Sequence, residues 1–255
     1  MIKRQAPPIQ KIKVFPWRWL VACFSLLILG AGSWFYLQSQ KNFPVDYWIW
    51  AGIRPEKGME NSVFYIYQGI LRKNEERVSY ERLGLFPHPT VHKIYIVYRI
   101  SGGLPHPKDL MKLFERNAAL WIHHNVKVVG LQLDFDSPTS KLLVYNDFLS
   151  QVKSLLKPEY QLSITGLGDW ILFGQKESLR ALAKNTDEII FQLYQDRQHF
   201  SDIKKYIHKL ARIDIPFKVG LLNHQTPNIY INQLQTSPYF KGVVLFVQKK
   251  NEEKL

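Results

Sequence analysis

The stretch Val128–Pro138, V-V-G-L-Q-L-D-F-D-S-P, sets Gln132, Asp134 and Asp136 at every second position, with Leu131, Leu133 and Phe135 between them. Side chains alternate faces along a strand, so the three polar groups share one face and the three apolar groups the other. Ionised carboxylates are costly to desolvate without partners, which makes ordinary core packing a poor account of the pattern. A strand that buries its apolar face and aims two carboxylates the other way is building a site.

Working outward, seven more segments rich in branched and aromatic residues read as strands: Tyr47–Ile53, Val63–Ile70, Lys93–Ile100, Gln161–Gly166, Glu188–Tyr194, Phe217–Leu222 and Gly242–Val247. Helical periodicity covers Pro107–His124, Thr139–Leu156, Gln175–Lys184, Ser201–Arg212 and Ile229–Gln235. Strand then helix, repeated around eight strands, predicts an α/β fold: a compact (β/α)8 TIM-like barrel over residues 44–250, with an open doubly wound sheet as the structural alternative. About 210 residues is small against the roughly 250 typical of this fold, so the early helices must be short or missing. The stretch Leu71–His92 is read as irregular, with a turn or short helix at Asn74–Arg77.

The 255 residues, 46% of them hydrophobic, are enough for one sizeable core. Trp19–Leu37 carries no charge and has the length of a membrane-crossing helix. Residues 1–18 form a basic arm with Lys3, Arg4, Lys11, Lys13 and Arg18, which the positive-inside rule assigns to the cytoplasm. Residues 38–43 are a tether. The expected location is therefore the bacterial inner membrane, single-pass, with the barrel in the periplasm. A signal peptide cleaved near Ala31-Gly32-Ser33 is the rival reading. Cys23 is the only cysteine, so the exported part holds no disulfide.

Formal charge is +13, and leaving out the five basic residues of the arm gives +8. That surplus favours a glycan or other anionic envelope component as partner, with the inner membrane contacted through residues 19–37. Nucleic acid is not expected, because no basic run carries interleaved aromatics. The K-K-N-E-E-K-L end reads as a solvated tail.

In a barrel of this type working residues stand at the carboxyl ends of the strands, where Asp134 and Asp136 fall. The polar pattern recurs on neighbouring strands: Gln161, Ser163 and Thr165 share one face of the fifth, and Ile190, Gln192 and Tyr194 one face of the sixth. Trp50, Trp170 and Tyr194 lie near the expected mouth, where aromatic faces stack on sugar rings. Three plainer explanations stand beside these: Asp136 caps the next helix, both aspartates pair with an arginine, or the tryptophans belong to the core. No zinc spacing, phosphate loop or serine elbow occurs, so neither metal nor cofactor is expected.

Gly130–Pro138 resembles the fourth-strand signature of chitinase-type glycoside hydrolases, family eighteen, and Gln192-Leu193-Tyr194-Gln195 resembles that family's sixth-strand motif. Trp48–Gly52, Gln132–Thr139, Leu162–Thr165 and Gln192–Gln195 together resemble the uncharacterised bacterial family domain of unknown function 3142. The resemblance implies a barrel related to glycosidases and assigns no activity. It places Asp136 where chitinases carry the acid glutamate, Asp134 where an aspartate orients substrate, and Tyr194 where a tyrosine supports the intermediate. Gln132 replaces the outermost aspartate, and V-L-F-V-Q at Val244–Gln248 lacks the tryptophan that floors the sugar site.

Two functions are therefore expected from the sequence. The first is a membrane-anchored glycosidase-like enzyme acting on an envelope or extracellular glycan, with Asp136, Asp134 and Tyr194 catalytic and Gln132, Gln192, Trp50, Thr165 and Trp170 binding substrate. The second is a non-catalytic carbohydrate-binding or envelope-assembly protein with a degenerate site.

Overall fold

The computed structural model describes residues 43–50, 52–74, 77–88, 91–195, 198–223 and 228–248, which all belong to one compact unit, Phe43–Leu255. The segment expected to span the membrane, Trp19–Leu37, the arm before it and the tail after Gln248 lie outside these residues. Among the described residues no helix is long and apolar enough to cross a membrane.

Eight parallel strands close into a barrel: β1 (Val45–Ile49), β2 (Phe64–Asn74), β4 (Lys93–Ser101), β5 (Lys127–Phe135), β6 (Gln161–Gly166), β7 (Glu188–Gln192), β10 (Phe217–Leu222) and β11 (Phe240–Phe246). Closure comes from β1, which pairs with β11 on one side and β2 on the other. The TIM-like barrel expected from the sequence is thus the observed fold, and the open sheet is not. The described helices follow the later strands: α1 (Pro107–His123), α2 (Leu142–Leu155, after a 3-10 turn at Thr139–Lys141), α3 (Gly168–Phe173), α4 (Lys176–Asn185), α5 (Ile203–Leu210) and α6 (Asn228–Leu234). Pro107 opens α1, where its missing N–H costs nothing, and the His106 ring accepts from the Lys108 N–H at 3.3 Å.

The early part of the barrel differs from the sequence reading. The segment Arg77–Arg82 is a strand, β3, running antiparallel to the long carboxyl half of β2. The 77–88 segment then covers the outside of β2 in place of a helix. Gln68 lies fully buried there, donating to the Leu85 carbonyl at 2.9 Å and accepting from the Trp121 indole at 3.4 Å. The expected sixth strand also stops early: Tyr194–Gln195 (β8) leaves the barrel and pairs with Gln198–His199 (β9) in a short antiparallel ladder.

Alternation along β5 is as the sequence requires. Leu131 and Leu133 are fully buried against the helices, while Gln132 and Asp134 point into the barrel. Glycine at 130 has a steric cause, since a Cβ there would stand 1.9 Å from the Gln161 carbonyl oxygen. The interior holds a separate, smaller apolar cluster of Trp48, Tyr65, Tyr95, Val97, Ile190 and Val244.

Candidate functional site

The barrel interior is built in levels. At the amino ends of the strands Lys218 donates to Asp46 at 2.8 Å and to the Tyr65 hydroxyl at 3.0 Å, and its ammonium is 2.7 Å from Glu188. Tyr65 in turn donates to Glu188 at 2.6 Å, and the Val63 N–H donates to Asp46 at 2.9 Å. Burial alone would lower the Lys218 pKa, but Glu188 and Asp46 together hold it above the ordinary lysine value.

One level up, the Trp48 indole donates to Gln132 Oε1 at 2.6 Å, and Gln132 Nε2 donates to Ser163 Oγ at 2.9 Å. Ser163 donates onward to Glu188 at 3.0 Å, joining the two levels. Both ends of the Gln132 amide are therefore engaged, and its side chain is wholly enclosed. The structure places it beneath the mouth as part of the barrel's internal wiring, and not at a surface a ligand reaches.

The mouth begins at Asp134, which is 3% exposed. Thr165, buried beside it, donates its hydroxyl to Asp134 Oδ1 at 2.9 Å. Arg99, paired in register with Asp134 across β4 and β5, approaches Asp134 Oδ2 to 3.7 Å and donates to Asp136 Oδ2 at 2.9 Å. One guanidinium thus bridges both carboxylates, as the arginine-pairing reading of the sequence allowed. Burial drives the Asp134 carboxyl above the usual carboxylate range. Arg99 opposes this, Asp136 adds to it, and the Thr165 hydrogen bond opposes it. Asp136 lies one residue beyond β5, with a half-exposed side chain.

Aromatic rings wall the mouth. Trp50, just past the end of β1, stacks on Tyr67 at 4.3 Å and meets Phe246 edge-on at 5.7 Å. Phe246 contacts Tyr194 at 5.7 Å. Burial and the nearby Asp134 charge push the Tyr194 phenol well up, while a hydrogen bond with the partly buried Gln192 and the Arg99 charge act the other way. Phe246 takes the eighth-strand place that the sequence comparison found without tryptophan.

Trp170 is positioned differently from the expected loop platform. It lies in α3, fully buried, and donates its indole N–H to the Ser137 carbonyl at 2.8 Å. It anchors the turn that carries Asp136 and presents no face to a ligand. A physical signal for its helix was present in the sequence, because G-D-W-I-L-F continues apolar after the turn residues. The residue that sequence reasoning missed is Arg99. It shares the inward parity of Tyr95 and Val97, and an arginine at such a position in an apolar strand marks an acidic partner inside the barrel, here on the neighbouring β5.

Among the described residues no group of three histidine, cysteine, aspartate or glutamate side chains is arranged to hold a metal ion. A groove of about 420 Å³ on the outside of the barrel, lined by Glu115, Ile122, His123, Lys157 and Tyr160, lies toward the amino ends of the strands and away from the mouth.

Residues 89–207 match the family described as domain of unknown function (DUF3142), the family whose sequence pattern the fourth to sixth barrel strands resemble. No curated protein matches the chain. Among solved structures, the chain is similar to the xylanase and alpha-amylase inhibitor protein XAIP-II from Scadoxus multiflorus, with a TM-score of 0.53 and 13% identity over 80% of this chain and 92% of that one. It is also similar to XAIP-I, solved in complex with trehalose, with a TM-score of 0.52 and 12% identity over 81% of this chain and 93% of that one. At these identities the likeness concerns the fold alone, a TIM barrel.

Proposed function

We propose that the protein recognises a cell-envelope or extracellular glycan at the carboxyl end of its barrel, and does so by binding and not by chitinase-type hydrolysis. The observation that carries this reading is the single Arg99 bridge. The aspartate at the acid position is a methylene shorter than glutamate, and its Oδ2 is already taken by a guanidinium at 2.9 Å. A proton donor has to come within about 2.6 to 3.2 Å of the glycosidic oxygen. Trp50, Tyr67 and Tyr194 meanwhile keep the aromatic wall that suits a sugar ring. Barrels of this shape include proteins named as inhibitors of xylanase and alpha-amylase, one solved with trehalose, so the fold is not confined to proteins named as hydrolases.

A hydrolase reading keeps one specific support: burial raises the Asp134 carboxyl, and raised carboxyls are the ones that donate protons near neutrality. Incubating full-length protein with a panel of envelope glycans separates the two. Under the binding reading, wild type, Asp134→Asn and Asp136→Asn retain glycans and release no new reducing ends. Turnover by wild type that disappears in Asp134→Asn overturns it in favour of the hydrolase.

The proposed setting is the periplasmic side of the inner membrane, with Trp19–Leu37 as a retained anchor; the basic arm before it supports this orientation. Mass spectrometry of the protein from membranes tests it, and a mature chain lacking residues 19–37 contradicts it.

A further inference from the structure

We infer that the glycan taken at the mouth is acidic, a uronate-type sugar whose carboxylate is received by Arg99 with Arg72 beside it. This rests on the glycan-binding reading and adds the ligand's charge. A guanidinium offers five N–H donors in a planar fork suited to a carboxylate. Among the described residues Arg99 places only one of them at hydrogen-bond distance, on Asp136, and its side chain is 43% exposed. The second contact, to Asp134, is 3.7 Å, too long for a hydrogen bond. Arg99 therefore stands at the floor of the mouth with donors to spare.

Arg72 extends the same feature outward. It is paired in register with Ser101 two residues beyond the Ile70–Arg99 pair, so it shares the inward parity of Arg99. Its acidic partner, Glu81, is 3.6 Å away, and both side chains are about half-exposed. The Tyr67 phenol lies within the fields of both arginines, and its ring stacks on Trp50. A sugar ring held against that wall would bring a ring carboxylate toward the guanidinium groups.

The half-exposed Arg72–Glu81 pair is worth little, so exchanging Glu81 for a ligand carboxylate costs little, while Asp136 keeps its one bond to Arg99 and the ligand takes the donors left over. Asp134 is enclosed and already hydrogen-bonded to Thr165, and the chain without its basic arm still carries +8. A neutral sugar would use the aromatic wall and leave the remaining Arg99 donors to water.

Calorimetric titration of full-length protein in detergent micelles with oligogalacturonate, its methyl ester and a panel of neutral oligosaccharides tests the inference. The acid form is expected to bind about tenfold or more tightly than the ester at low salt, with the preference shrinking as salt is raised. Arg99→Gln should abolish the preference while binding of the ester persists. Arg99→Lys should retain part of it, as a point charge without the fork. Lys112→Gln, on the outer face of α1, should leave it unchanged, and melting curves confirm that each variant is folded. Equal binding of acid and ester overturns the inference, as does a preference that survives Arg99→Gln or falls equally in Lys112→Gln. Binding of neutral glycans alone overturns the acidic specificity and keeps the glycan reading, whereas binding of no glycan overturns both.

Discussion

Replacing Lys218 by methionine should be among the most damaging single changes in the barrel, because it strips the cation from two enclosed carboxylates at once. The Lys218 side chain is 13% exposed and those of Asp46 and Glu188 are 8% and 12%. Removing one partner of such a group costs about 3–5 kcal/mol, since a charge is left behind without compensation. Part of that loss is cushioned: Asp46 keeps the Val63 N–H, and Glu188 keeps the Tyr65 and Ser163 hydroxyls. The expected cost is therefore about 3 kcal/mol, which at about 2–4 °C per kcal/mol for a domain of this size lowers the melting temperature by about 6–12 °C. Thermal unfolding of the full-length protein followed by circular dichroism measures it. Lys218→Met combined with Asp46→Asn and Glu188→Gln should recover much of the loss, because no charge is then left unpaired. The wild type has a pH signature of its own. Its lysine pKa is raised on folding, so the contribution is present at and below the ordinary lysine pKa and fades as pH rises through the folded value. A Lys218→Met protein within about 1 kcal/mol of wild type, or a triple variant no better than the single, refutes the reasoning.

Three further outcomes follow from the same geometry. Asp134 has its pKa raised on folding, so its favourable contribution exists at low pH and is lost as pH climbs through the folded value. Asp134→Asn should accordingly match or exceed wild-type stability at pH 7 and lose that advantage near pH 4; a variant clearly weaker at pH 7 would mean that Arg99 outweighs burial. Gly220→Ala would set a Cβ 2.4 Å from the Trp48 ring, and such overpacking costs about 1–3 kcal/mol. The displaced indole should be visible in near-ultraviolet circular dichroism, and an unchanged spectrum and melting point would show that the ring moves freely. The Tyr145 hydroxyl is buried with no hydrogen-bond partner among the described residues, so Tyr145→Phe should be neutral or slightly stabilising in urea unfolding, whereas a loss above about 1 kcal/mol would reveal a partner.

Branched and aromatic enrichment located all eight barrel strands, because a strand covered on both faces reads as a nearly continuous apolar run. Period-two patterning added the inward parity of Gln132 and Asp134, where the interior turns polar. It failed at β3, where R-V-S-Y-E-R is charged and mostly exposed: that strand exists through its ladder with β2 and not through burial. Trp170 shows a different limit. Its turn residues argued for an exposed loop, and only the tertiary hydrogen bond to Ser137 makes it core. Gln132 and Asp134 read alike in sequence yet lie at different depths, since alternation gives the face of a strand but not the height along the barrel axis. Arg99 escaped notice for a related reason: its partners come from a strand some 35 residues away in sequence, and only the register of the β4–β5 pairing brings them together.

The proposed glycan binding at the aromatic and arginine-lined mouth predicts a loss of affinity when the Trp50 ring is removed. Equilibrium titration of full-length wild type and Trp50→Ala against the same glycan panel tests it most directly. Loss of the ring stacked on Tyr67 should weaken binding by about five- to thirtyfold, equivalent to about 1–2 kcal/mol, with the fold intact by circular dichroism. Undiminished glycan binding by a folded Trp50→Ala protein would contradict the account.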